Sequence, residues 1–270
     1  MTATANLPTW LAGLWNREWI ERAGTRSSPF DVNYLQTPSA FADIRIPRDR
    51  PALAHARSFA DLTDAELHAL ARQRGFAGFT TVAGDLATWH HEIDFQPPDS
   101  SADVGRLEQI DDSHMLEHAL DSSYTESWRM IERGTGQYLV LRLEHAKRLE
   151  RILLVSADRF IYARNRGKDL EVAESLDSLI ASSNATRAEI IAYVDCELSV
   201  GRVRGGAVPW EIQHSTLPWH EGHHLDLADS ISVDHRLADP LIRVGSGDGW
   251  LVAMNTLRAN ALDSMFAPTK

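Results

Sequence analysis

Ionisable side chains alternate with aromatic ones in three short segments of the first half of this chain. In a β-strand, residues two apart lie on the same face. The residues that each segment would place on one face are Phe41, Asp43 and Arg45 in the first, Trp89, His91 and Ile93 in the second, and Tyr124, Glu126 and Trp128 in the third. Titratable groups beside aromatic walls are typical of a small-molecule site.

Two sets of site residues follow from this pattern. The catalytic set comprises His91, Tyr124, Glu126, Arg45 and Asp94, and the ligand-binding set comprises Trp89, Trp128, Phe41 and Asp43. A histidine held near a carboxylate can exchange protons near neutral pH, so His91 would shuttle a proton while Glu126 or Asp94 orients its ring. Arg45 and Tyr124 would stabilise an enolate or oxyanion. The alternative is that the polar groups form a satisfied network that fixes the strand register, with the tryptophans only packing the core.

The two halves of the chain echo each other. Phe41 corresponds to Phe160, Trp89 to Trp210 and Trp128 to Trp250, at offsets of 119, 121 and 122 residues. This spacing is too long for a solenoid repeat and suits a small domain. We therefore expect two copies of one unit, residues 1–133 and 134–270, with the boundary within 131–136.

The dominant hydrophobic period is two, which predicts antiparallel strands. The expected strand regions are 76–82, 86–95, 138–143, 151–166, 190–203 and 208–215. Helical periodicity is confined to 63–74, which opens with a capping box at Thr63, and to 168–182. The fold class is therefore all-β, with two tandem lipocalin-like antiparallel barrels that each carry one short helix. Closed barrels leave no exposed sheet edge.

The repeat is asymmetric in its reactive residues. Under the same alignment, His91, Tyr124 and Glu126 face Ile212, Ser246 and Asp248 in the second half. Groups needed only for packing would survive in both copies. This asymmetry places the expected site in the first barrel.

The order and spacing of several motifs resemble a fungal family of paired lipocalin-like barrels named for interaction with a casein-kinase-type kinase. The motifs are Trp89-x-His91-x-Ile93-Asp94, Asp103-x-Gly105, Leu116-Glu117 and Tyr124-x-Glu126-x-Trp128-Arg129. The resemblance implies two stacked β-barrels, with this chain as a bacterial relative, and it brings no established chemistry. Glu92 and His118-Ala119 depart from the family pattern, so we carry over the fold and not the kinase partner.

Composition narrows the class of protein. A hydrophobic content of 43% with 24% charged residues indicates a folded chain, and a net charge of −11 argues against a nucleic-acid partner. No apolar run approaches the length of a membrane span, and the first ten residues lack a signal-peptide pattern, which makes the cytoplasm the expected location. Cys196 is the single cysteine, which excludes an internal disulfide and a cysteine-rich zinc site. We expect no cofactor, and a homodimer remains open.

A second histidine cluster lies in the second half. His214, His220, His223 and His224 are close enough in sequence to chelate a divalent metal. Gly222 places the cluster on a loop, where ligands are poorly oriented, so we expect a solvated loop rather than a metal site; a pH-sensitive loop is the third alternative. The glycine-rich run 245–249 is expected to be a hairpin turn.

The expected function is binding and metal-free acid–base transformation of a small, partly aromatic or conjugated organic molecule in the first barrel, as a lyase, isomerase or hydrolase. The alternatives are a non-catalytic carrier and a protein-interaction module. The sequence specifies neither the substrate nor the reaction.

Overall fold

The first half of the protein forms a closed antiparallel barrel. The computed structural model describes residues 7–98, 101–227, 231–234, 241–244 and 250–266. The strands of the first half are β1 (Gly13–Arg22), β2 (Thr25–Ser27), β3 (Phe30–Gln36), β4 (Phe41–Pro47), β5 (Arg74–Ala83), β6 (Leu86–Asp94), β7 (Asp103–Asp111), β8 (His114–Ala119) and β9 (Thr125–Arg133). They pair in the order β2-β1-β3-β4-β5-β6-β7-β8-β9, and β9 pairs again with β1. Eight strands therefore close on themselves, with β2 as a short extension.

One helix interrupts the first barrel between β4 and β5. This helix, α1 (Asp64–Ala71), begins at the predicted capping box, in which the Thr63 hydroxyl and the Glu66 carboxylate bond each other's backbone N–H. Its buried face packs Leu67 and Leu70 into the core. The two short 3-10 turns before β1 and before α1 complete the first half.

The second half repeats the same strand order. Its elements are β10 (Tyr138–His145), β11 (Arg148–Ser156), β12 (Arg159–Arg164), α2 (Leu176–Ser183), α3 (Arg187–Val194), β13 (Glu197–Arg202), β14 (Glu211–Ser215), β15 (Ile231–Asp234), β16 (Leu241–Val244), β17 (Leu251–Asn255) and α4 (Ala259–Phe266). The main sheet has the order β14-β13-β12-β11-β10-β17, and β15 pairs with β16 as a separate hairpin. The β10–β17 pairing is the counterpart of the β1–β9 pairing.

The repeat anchors lie on corresponding strands. Phe41 is on β4 and Phe160 on β12, and each is paired to a glycine on the next strand, Gly78 and Gly201. Both glycines also lie at a β-bulge. The register of the β5–β6 pair shifts between residues 77 and 78, and that of the β13–β14 pair shifts between residues 200 and 201. Trp210 comes directly before β14. The all-β architecture that the sequence predicts is confirmed, and the strand order is the same in both halves.

The second half carries more helix than expected. The region 190–203 was expected to be one strand, but its first part is the end of α3, and β13 begins at Glu197. Ile190 and Val194, four residues apart, are buried on one face of this short helix, and Thr186 with Glu189 forms the capping box that starts it. The helix expected over 168–182 begins only at Leu176. Together with α4, the described part of the second half has three α-helices where one was expected.

A shared hydrophobic core joins the two halves. It contains outward-facing residues of the first barrel, including Ala42, Ile44 and Ile93, and residues of the second sheet, including Ile161 and Val200. The Arg142 guanidinium on β10 makes two hydrogen bonds, of 2.9 and 2.7 Å, to the Glu92 carboxylate on β6. None of the helices in the described ranges combines the length and apolarity that a membrane-spanning helix needs.

The equivalent bulges at Gly78 and Gly201 lead to the first prediction. A Cβ added at Gly78 would lie 1.9 Å from the His90 carbonyl oxygen, and one at Gly201 would lie 2.0 Å from the Glu211 carbonyl oxygen. We expect Gly78→Ala and Gly201→Ala each to lower the free energy of unfolding by at least about 2 kcal/mol, because backbone must move in both. Gly167→Ala is the matched control: no atom lies within 4 Å of its Cβ position, so a change within about 0.5 kcal/mol is expected. Denaturant titration measures all three, and a neutral effect at either bulge would contradict the equivalence.

Candidate functional site

The lumen of the first barrel holds a cavity of about 120 Å³. Its lining mixes aromatic walls with ionisable groups: Arg22, Tyr34, Asp43, Arg45, Phe76, Trp89, Asp103, Met115, Glu117, Tyr124, Glu126 and Trp128. The side chain of Asp103 is 35% exposed, so the cavity opens to solvent beside this residue. An eight-stranded barrel has room inside for side chains and one small ligand.

Six of the nine predicted site residues line this cavity. They are Asp43, Arg45, Trp89, Tyr124, Glu126 and Trp128. These residues lie on β4, on β6, and on β9 or directly before it, and alternation turns their side chains inward, as the period-two pattern predicts. Phe41 is fully buried below them and packs on Tyr34 and Phe76. His91 and Asp94 lie at the rim.

A bulge in β6 decides the position of His91. Ala77 pairs with Ile93 and Gly78 with His91, so Glu92 is an extra residue, and the alternation reverses beyond it. Ile93 consequently packs in the core between the two halves, whereas Trp89 packs in the lumen. The expectation that Trp89, His91 and Ile93 share one face is wrong for Ile93. Sequence periodicity does not reveal a single-residue bulge.

The His91 imidazole is held by two carboxylates. Its Nδ1 lies 2.7 Å from Asp94 Oδ2 and its Nε2 lies 2.9 Å from Asp103 Oδ2, while the ring stacks on Phe76 at 4.0 Å between centroids. Burial alone would lower the pKa of His91, but the hydrogen bonds to Asp103 and Asp94 raise it to about 9. Because both nitrogens are engaged, the geometry fits a fixed imidazolium. The catalytic assignment of His91 stays a prediction.

Two ion pairs lie in the interior of the barrel. Arg17 on β1 donates to Glu126 on β9, and both side chains are less than 5% exposed. Arg45 donates from Nε to Asp43 Oδ1 at 2.7 Å within β4. Burial raises the pKa of Asp43 although Arg45 opposes the shift, and burial lowers the pKa of Arg17. Each member of such a buried pair needs the other, because removal of one member would leave an uncompensated buried charge.

Among the described residues, Glu117 is the buried carboxyl group of the first barrel that makes no ion pair. It lies on β8 directly opposite Glu126 on β9 and is 7% exposed. The Tyr124 hydroxyl donates to Glu117 Oε1 at 3.0 Å. Burial, together with the charges of Glu126 and Asp103, raises the pKa of Glu117 to about 8, so this carboxyl group carries a proton at neutral pH. The same surroundings raise the pKa of Tyr124.

The two lumen tryptophans differ in their hydrogen bonding. Trp89 Nε1 donates to the Tyr34 hydroxyl at 3.1 Å, and that hydroxyl donates to Gln36, so Trp89 is part of a satisfied network. Trp128 is 2% exposed and its Nε1 has no hydrogen-bond partner. Trp250, at the corresponding position of the second half, has an unpartnered Nε1 as well. Protein atoms enclose both indole N–H groups, so this feature is common to the two halves and does not distinguish the first lumen.

Sequence reasoning missed several residues of the site. Arg17, Tyr34 and Glu117 are buried around the cavity, yet none was assigned a role. Alternation was the available signal: Arg17 follows Trp15 by two residues, and Met115, Glu117 and Ala119 are the buried residues of β8. What alternation leaves open is which of the two faces of β8 turns inward.

The second lumen is apolar at the corresponding positions. Tyr162 stands where the first copy has Asp43, and Ile212 stands where it has His91. Both side chains belong to a cluster with Leu141, Leu153 and Phe160. Ser246 and Asp248, the expected counterparts of Tyr124 and Glu126, and the turn expected over 245–249 lie outside the described residues.

The histidine cluster of the second half is tied to protein groups. His220 Nδ1 lies 2.9 Å from Glu197 Oε1, and His224 Nδ1 lies 2.7 Å from the carbonyl oxygen of Pro209. The pKa of His220 is raised: burial opposes the shift, but the hydrogen bond and charge of Glu197 outweigh it. Among the described residues, no group of three or more histidine, cysteine, aspartate or glutamate side chains is arranged to hold a metal ion.

The fold is similar to that of a solved yeast protein. The crystal structure of the uncharacterized protein YLR301w from Saccharomyces cerevisiae superposes with a TM-score of 0.52 at 9% sequence identity, covering 90% of this chain and 98% of that chain. Identity this low shows the fold alone. No family model matches the chain, and no curated protein matches its sequence. Membership of the kinase-interacting family stays a prediction.

Asp94 and Asp103 form a clamp around the His91 imidazole, and this clamp leads to the second prediction. The pKa of His91 is raised from 6.5 to about 9 in the folded protein, so the clamp stabilises the folded state fully below pH 6.5. This stabilisation is lost as the pH rises through 9. Relative to wild type, we expect His91→Gln to be less stable at pH 6 and to show a flatter dependence of unfolding free energy on pH up to 9. His90→Gln, which leaves both His91 contacts in place, should keep the wild-type slope. Equal slopes in wild type and His91→Gln would rule out the charged clamp.

Proposed function

We propose that the first barrel binds a small, partly aromatic or conjugated organic molecule in its lumen and transforms it by general acid–base chemistry. The observation that carries this proposal is the cavity of about 120 Å³, which is lined by Phe76, Trp89, Tyr124 and Trp128 together with the buried carboxyl group of Glu117. An engineered cavity of about 150 Å³ accepts benzene, so the lumen suits a molecule with a single ring.

Glu117 and Tyr124 are the proton carriers in this proposal. Glu117 has a pKa near the operating range of a general acid or base and no arginine that fixes its charge. In the reaction, the Glu117 carboxylate would remove a proton from the carbon next to a carbonyl group. The electron pair moves to the carbonyl oxygen, and the Tyr124 hydroxyl stabilises the enolate oxygen. Arg45 adds positive charge at a greater distance. His91 holds Asp94 and Asp103 in place at the rim.

A non-catalytic carrier is the second candidate function. It is favoured by the ion pairing of Arg17 with Glu126 and of Arg45 with Asp43, which leaves two charged pairs already neutralised. A cytoplasmic location, a homodimer and an interaction-module role stay predictions that neither candidate requires.

Binding is tested with tyrosol, a neutral phenol with one ring. Calorimetry should detect one site in the wild-type protein. Trp128→Leu removes an aromatic wall of the cavity and keeps an apolar side chain, so it should weaken tyrosol binding by about tenfold, the worth of an aromatic contact. Trp250→Leu is the matched change in the second half and should leave the affinity unchanged. Absence of saturable binding, or equal losses in both variants, would place the ligand elsewhere or nowhere.

Catalysis is tested by hydrogen–deuterium exchange at the carbon atoms next to the carbonyl group of phenylacetone in deuterated water. Nuclear magnetic resonance should show exchange whose rate rises as pH passes the Glu117 pKa of about 8. Glu117→Gln should lower the enzyme-dependent rate by about 10²–10⁴, the usual contribution of a general base. Glu108→Gln, on an exposed position of β7, is the control. Saturable tyrosol binding without any enzyme-dependent exchange would favour the carrier.

A further inference from the structure

One buried carboxyl group has no ion-pair partner among the described residues of the first lumen. Three buried carboxyl groups, Asp43, Glu117 and Glu126, face the guanidinium groups of Arg17 and Arg45, and a third arginine, Arg22, lines the same cavity. Arg17 pairs with Glu126 and Arg45 pairs with Asp43. Within the described part of the chain, Glu117 makes no ion pair. An ionised carboxylate is costly in such a place, and either a proton or a cation must compensate it.

Every element packed around Glu117 contributes groups that set its charge. They are Arg17 and Arg22 on β1, Asp43 and Arg45 on β4, Asp103 on β7, Tyr124 before β9 and Glu126 on β9. Arg17 and Arg45 are engaged with the other carboxylates, and the guanidinium of Arg22 lies 5.9 Å from the centroid of the Tyr124 ring rather than in an ion pair with Glu117. A proton neutralises the Glu117 carboxylate, and a bound cation could do the same.

The walls beside Glu117 favour an organic cation over a metal ion. Trp89, Trp128, Phe76 and Tyr124 line the same cavity, and aromatic faces attract ammonium groups, with tryptophan the strongest. A ligand that satisfies both features carries an ammonium group and a ring.

We propose that the first lumen takes a small monocyclic amine, whose ammonium group pairs with the buried Glu117 carboxylate and whose ring packs on the aromatic walls. This inference rests on the lumen being a binding site, as proposed above, and adds the class of ligand. It does not depend on the enolate chemistry. Binding of the amine releases a proton, because the carboxyl group must ionise to pair with the ammonium group.

The test compares three phenols that share one ring: tyramine with an ammonium group, tyrosol with a hydroxyl group and 4-hydroxyphenylacetate with a carboxylate. Calorimetry at pH 7 should rank them in that order, with tyramine at least about tenfold tighter than tyrosol, the usual gain of a charge-assisted hydrogen bond. Titrations in two buffers of different ionisation enthalpy should show close to one proton released per tyramine and none per tyrosol.

Glu117→Gln keeps the shape of the side chain and removes its charge. It should abolish the proton release and reduce the tyramine affinity at least tenfold, while tyrosol affinity changes less than threefold. Glu108→Gln should retain the wild-type values for both ligands. The thermal midpoint of Glu117→Gln, which should be at or above that of wild type, shows that the variant is folded.

The outcomes separate this inference from the proposed function. If tyrosol binds in a Trp128-dependent way but tyramine binds no tighter, or if Glu117→Gln leaves tyramine binding intact, the amine inference is overturned and the binding function stands. If 4-hydroxyphenylacetate binds tightest, the site recognises an anion and the inference is again overturned. If none of the three ligands binds, both proposals fail.

Discussion

The pairing of β1 with β9 is the constraint on which the rest of the first half depends. It joins segments more than a hundred residues apart, from Gly13 opposite Arg133 to Glu21 opposite Thr125. This seam places Arg17 beside Trp128 and brings its guanidinium to Glu126. Without closure, the lumen carboxylates would lie on an open, hydrated sheet, and neither the raised pKa of Glu117 nor an enclosed cavity would exist.

The sequence predicted a large part of this arrangement, since period-two alternation is a local property. It placed Phe41, Asp43 and Arg45 on one face, and Glu126 with Trp128 on another, and the structure has both groups in the lumen. The duplication was visible because aromatic anchors survive at corresponding strand positions. Prediction failed where one residue changes the geometry: the bulge at Glu92 reverses β6, and the capping box at Thr186 starts a helix in a region that alternates like a strand.

The pairing of charges was beyond the sequence for a different reason. Arg17 and Glu126 are 109 residues apart, and which arginine meets which carboxylate depends on the stagger between strands. Alternation from Trp15 puts Arg17 on the inner face, but it does not indicate that Glu126 receives Arg17 and that Glu117 receives only Tyr124. The unpaired carboxylate is therefore a property of the register, and it became visible only once β8 and β9 were paired.

The second copy shows what the fold requires by itself. At corresponding positions it has Tyr162 for Asp43 and Ile212 for His91, and both pack in an apolar cluster. Replacement of buried ion pairs by apolar side chains of similar volume is often neutral or stabilising, so stability alone does not account for charges in the first lumen. Both barrels share one hydrophobic core, through which the apolar second half can support a first half that buries two ion pairs and an unpaired carboxyl group. Such a division lets one copy carry polar groups at a cost in stability while the other retains the packing, and this asymmetry between the lumens is the physical ground for the proposed site in the first half.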